Sequence, residues 1–98
     1  MLTEADARQK IKNLLPEWGR HIEGGLTLVE GMTLTKPYGW VFFYNSRRCL
    51  ETRDILQSVA GNGPVVILAE AGEVVILGSA RRPEDEIAAF EQHRKLSP

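Results

Sequence analysis

Gly61-Asn62-Gly63-Pro64-Val65-Val66-Ile67-Leu68 is the stretch whose reading decides the fold. Glycine and asparagine accept the positive φ that tight turns demand, and proline closes the turn ahead of a β-branched run. A second apolar run, Val74-Val75-Ile76-Leu77-Gly78, begins just after a turn at Ala71-Gly72. Two such runs with so short a connection predict an antiparallel hairpin over 64–69 and 73–78. Both faces of that hairpin are apolar.

Working outward, Trp40-Val41-Phe42-Phe43-Tyr44 predicts a central strand. Alternation puts Trp40, Phe42 and Tyr44 on one face, with Val41 and Phe43 on the other. The composition of Lys36-Pro37-Tyr38-Gly39 predicts the turn before it. Residues 26–35 predict its partner, a strand bent at Gly31 by a bulge. Residues 54–60 predict a short helix, with Ile55, Leu56 and Val59 inward and Gly61 as its stop.

Helices flank these elements. Thr3 followed by Asp6 resembles a capping box, and Ala7, Ile11, Leu14, Leu15 and Trp18 then recur at helical spacing. Proline disfavours helical geometry in the residue before it, so Pro16 predicts an end near Leu14 or Leu15. Pro83 suits a first helical turn. Acidic residues 84–86 and basic residues 93–95 match the dipole of a closing helix. Ile87, Ala88 or Ala89, and Phe90 supply its inward stripe. The expected architecture is α+β: a four-stranded antiparallel sheet, N- and C-terminal helices, and a short helix before the second hairpin. The helices could share one face of the sheet or take opposite faces. If they shared one, the other would stay apolar and open, as a binding or dimerisation surface.

The chain of 98 residues suits one domain, residues 1–98. Its formal net charge of −1 argues against a nucleic-acid partner, which usually requires a basic excess. With Cys49 the only cysteine, no intrachain disulfide can form, and a reducing compartment is expected. The N-terminus lacks the apolar core of a signal peptide, and no apolar run reaches the roughly 20 residues of a membrane span. A soluble, cytoplasmic protein without a membrane partner is the expectation.

Catalytic chemistry is hard to assemble from these residues. Cys49 with His21 or His93 would be the only thiol–imidazole pair, and no glycine-rich or strand-to-helix turn presents the thiol. The same three residues lack zinc-ligand spacing. Glu84, Asp85, Glu86 and Glu91 read as a helix start and a solvated face. Gly61-Asn62-Gly63 opens a strand rather than a helix, unlike a phosphate loop. No enzyme, metal or cofactor is expected. Arg47, Arg48, Arg81 and Arg82 offer basic pairs, and Tyr38, Trp40 and Tyr44 carry the polar tips of interface anchors.

One run of residues resembles a family. It comprises Trp40-Val41-Phe42-Phe43-Tyr44-Asn45-Ser46, Leu50-Glu51-Thr52, Gly61-Asn62-Gly63-Pro64, Gly72, Gly78-Ser79-Ala80 and an acidic helix through Phe90. From about Gly39 to Phe90 this order resembles the YrhB-like immunity proteins, also called immunity protein 35. The resemblance implies a small α+β protein encoded beside a bacterial polymorphic toxin, which it binds and neutralises. It carries no catalytic residues. Its characteristic positions would be Trp40, Tyr44, Gly61, Asn62, Gly63, Pro64 and Gly72. Glu70 and Ala71 depart from the pattern and bear only on the hairpin turn. The expected action is stoichiometric occlusion of the toxin by a monomer or homodimer. Arg47, Arg48, Arg81 and Arg82 would meet an acidic surface, with Tyr38, Trp40 and Tyr44 as anchors. The alternative is a chaperone-like holdase or a regulatory protein of the stress response, since some family members are described in those terms.

Overall fold

In a computed structural model of the chain, residues 1–47 and 63–98 are described. They form α1 (Glu4–Trp18), β1 (Leu26–Leu28), β2 (Leu34–Lys36), β3 (Gly39–Phe42), β4 (Tyr44–Ser46), β5 (Val65–Leu68), β6 (Val74–Ile76) and α2 (Pro83–Arg94). The fold is α+β with two antiparallel sheets. One has four strands in the order β2-β3-β5-β6, and the other pairs β1 with β4. The expected single sheet is thus corrected to a four-stranded sheet and a separate two-stranded ladder. The expected helix over 54–60 lies outside the described residues.

The second ladder exists because the first hairpin has unequal arms. Leu28 pairs with Tyr44 and Leu34 with Val41, so five residues, 29–33, lie opposite two, 42–43. A pleated ladder cannot absorb that surplus, so both strands break there. The expected strand over 26–35 becomes β1 and β2, and the expected strand over 40–44 becomes β3 and β4. The Val29 N–H still donates to the Phe43 carbonyl at 2.8 Å, at the edge of the break. Gly31 sits inside the surplus with φ +89°, and is the signal of the bend.

The start of α1 is as expected, with Thr3 and Asp6 exchanging both bonds of a capping box. Its end is not. The helix runs through Pro16 to Trp18, and the Gly19 N–H closes it on the Leu15 carbonyl at 2.9 Å. Packing outweighs the local preference. Leu15 is buried beside Ile11, and Trp18 lies 5.8 Å from the Tyr44 ring, so the last turn has partners to hold it.

Helices α1 and α2 take opposite faces of the sheet. Ala7, Ile11 and Leu15 of α1 pack with Leu26, Leu28, Phe42, Val65 and Ile67. Ile87 and Phe90 of α2 pack with Val41 and Val66. The alternation expected along 40–44 therefore feeds two cores. The first residues are tied to the second hairpin: the Leu2 N–H donates to the Ala69 carbonyl at 3.0 Å, and Lys10 Nζ donates to the Gly72 carbonyl. Met1 and Leu96 line one cavity with Tyr38, Leu68 and Glu73.

Candidate functional site

The expected site residues fall in three places. Tyr38, at the turn between β2 and β3, leans over α2. Its ring meets Phe90 edge-on at 5.9 Å, and its hydroxyl donates to Glu91 Oε2 at 2.7 Å. Burial and that carboxylate push the Tyr38 phenol well above its ordinary pKa. Lys36 Nζ reaches the same Glu91 oxygen at 3.1 Å. Glu91 is buried, as is Glu86, whereas the sequence pattern placed both on a solvated face. The correction has a physical reason: each buried carboxylate has a donor waiting for it, Tyr38 and Lys36 for Glu91, and Arg81 at 2.9 Å for Glu86. Aromatic-turn and basic-pair residues were visible in the sequence, but nothing there tied them to particular acids.

Trp40 and Tyr44 lie on the α1 side, half-buried against its core. Burial raises the Tyr44 pKa. Arg81 and Arg82 both precede or cap α2, and each is spoken for within the chain. Arg82 Nε lies 3.1 Å from Glu84 and 3.7 Å from Asp85. Of the glycine positions, Gly63 and Gly72 fall within the described residues. A Cβ on Gly63 would stand 2.3 Å from the Leu77 carbonyl oxygen, and Gly72 holds φ +71°. Pro64 is buried between them in sequence and accepts the Leu77 N–H at 2.9 Å. Arg48, Gly61 and Asn62 lie outside the described residues, as does Cys49.

The third place is a cavity of about 300 Å³ lined by Lys12, Leu15, Pro16, Leu26, Thr27, Leu28 and Arg47. It wraps the edge of β1 that pairs with no other described strand. Ladder hydrogen bonds join Gly25 with Arg47 and Val29 with Phe43, so alternation places the Thr27–Asn45 pair in the bonded register too. The N–H and C=O groups of Leu26 and Leu28 consequently point away from β4; those of Leu28 face the cavity, whereas the Leu26 nitrogen lies against Gly19. Arg47 Nε donates to the Gly24 carbonyl at 3.2 Å, which draws its side chain back across the start of β1. Lys12 approaches from α1 and makes no ion pair among the described residues. No carboxylate lines this cavity. Lys12 is the residue that sequence reasoning missed: at its helical position it reads as one more solvated lysine.

Among the described residues no group of three or more His, Cys, Asp or Glu is placed to hold a metal ion. No helix there is long and apolar enough to cross a membrane.

Compared with known families, residues 5–89 match immunity protein 35. The chain belongs to that family. The immunity-protein match spans both helices up to Ala89 and every described strand. A curated relative, the uncharacterized protein YrhB of Escherichia coli strain K12, is 38% identical over 53 residues. That likeness takes in 54% of this chain and 56% of the relative, so it spans little more than half of either. No solved structure matches.

Proposed function

We propose that this immunity-family protein binds a cognate bacterial toxin, encoded beside it, and neutralises it in the cytoplasm by stoichiometric occlusion without turnover. The family match over residues 5–89 is the observation that carries the reading. The surface supports it with exposed arginines. Among the described residues the Arg47 side chain bonds only the Gly24 carbonyl, whereas Arg81 and Arg82 are already paired with acids of α2. Arg47, together with Arg48, is therefore the stronger contact for an acidic toxin surface. Tyr38, Trp40 and Tyr44 would contribute the rims of half-buried rings. A partner of ordinary interface size would cover about 800 Å² here. The two helices covering opposite faces of the sheet favour a dedicated partner over a general holdase, which needs open apolar surface.

The test is co-expression with the toxin domain of the adjacent reading frame. The expected outcome is restored growth and a one-to-one complex on size exclusion. Killing that is equal with and without this chain sinks the proposal. Charge reversal at Arg47 and Arg48 should slow association, flatten the on-rate's dependence on salt and leave folding intact.

A further inference from the structure

We infer that the edge of β1 away from β4 is a docking slot for an extended acidic segment of a protein partner, which adds to the β1–β4 ladder as a third strand. The inference builds on the immunity reading, with the toxin as the partner, and names how it is gripped. Three observations converge on the slot. The N–H and C=O groups of Leu28 face it without a partner among the described residues. An incoming strand would satisfy both, as in other cases of strand addition. The walls are cationic, with Lys12 on the helix side and Arg47 on the other, and no acid lines the cavity. The floor is the apolar flank of Leu15, Pro16, Leu26 and Leu28.

Charge selects the occupant. An extended segment alternates its side chains to two faces. One face would send a carboxylate toward Lys12 and the other toward Arg47, while a basic segment would meet repulsion from both. A second copy of this chain fits less well. Of the edge strands of its four-stranded sheet, Leu34-Thr35-Lys36 is basic and Val74-Val75-Ile76 carries no charge.

The probe is a capped peptide of alternating Glu and Val, titrated into the isotope-labelled full chain. The control peptide has Lys in place of Glu. The Leu28 amide signal should shift and its hydrogen exchange should slow with the acidic peptide only. The double variant Lys12→Glu, Arg47→Glu should weaken binding about tenfold, a loss of about 1.4 kcal/mol, with an unchanged melting curve because both side chains are exposed. Equal binding of the lysine peptide, or shifts confined to other strands, overturns the slot. Protection of Leu28 that rises with protein concentration alone assigns the edge to self-association and also overturns it. A chain that rescues cells from the toxin yet ignores the peptide loses this inference alone. One that binds the peptide but gives no rescue loses the toxin reading alone.

Discussion

The two faces of the sheet are held by different chemistry. Beneath α1 the contact is hydrocarbon throughout, from Ala7, Ile11 and Leu15 onto Phe42, Val65 and Ile67. Beneath α2 a smaller apolar set, Val41, Val66, Ile87 and Phe90, is flanked by two buried carboxylates. The first face gains stability through area removed from water, and tolerates no missing volume. The second depends on pairing. Glu91 is stable in its place only while Tyr38 and Lys36 supply donors, and Glu86 only while Arg81 does.

The largest expected effect breaks the α1 face. Ile11→Ala leaves a cavity in a fully buried layer, and should cost about 2–5 kcal/mol in denaturant unfolding. A loss near zero would mean that α1 is not part of the cooperative core. On the α2 face, Glu91→Leu should cost about 1–3 kcal/mol, because Tyr38 and Lys36 lose their acceptor. Adding Tyr38→Phe to it should recover part of that loss by making the second face resemble the first. If the double variant is no better than the single one, the hydroxyl–carboxylate bond is not what holds Glu91.

That contrast also explains what could be read from the chain in advance. The α1 face was legible because helical spacing and strand alternation are written in apolar residues, and Ala7, Ile11, Leu15, Phe42, Val65 and Ile67 all obey them. Glu86 and Glu91 were not legible, since their burial depends on Arg81, Tyr38 and Lys36 arriving from distant positions. Pro16 misled for a related reason: the rule for the residue before proline is local, while Leu15 and Trp18 are held by contacts across the fold. The surplus at 29–33 was foreshadowed by Gly31, but its size follows from the register of two ladders. The slot at β1 shows the same limit. Arg47 stood out beside a second arginine, whereas Lys12 gains meaning only from the cavity it enters.

A smaller effect sharpens the comparison at the rim of the α2 face. Arg94 bonds Glu73 at 2.9 Å and holds its pKa below the ordinary 4.5. With the folded value lowered, the pair's contribution is present above the unfolded pKa and is lost as pH falls through the folded one. Glu73→Gln should therefore flatten the acid limb of the stability curve by lowering neutral stability slightly, as befits an exposed pair, while leaving the acid end unchanged. The Tyr38 phenol works in the opposite direction. Its raised pKa means that stability falls once pH climbs past 10, where the unfolded chain ionises first. Tyr38→Phe should blunt that alkaline loss in a pH-jump melt.

Met1 and Leu96 both line one cavity beside Tyr38. The two ends of this polypeptide can therefore be spliced with a short glycine–serine bridge and reopened at the exposed Gly31, giving a circular permutant that keeps every strand pairing. Such a rearranged gene would place a purification handle or fluorophore at the bend between the two ladders.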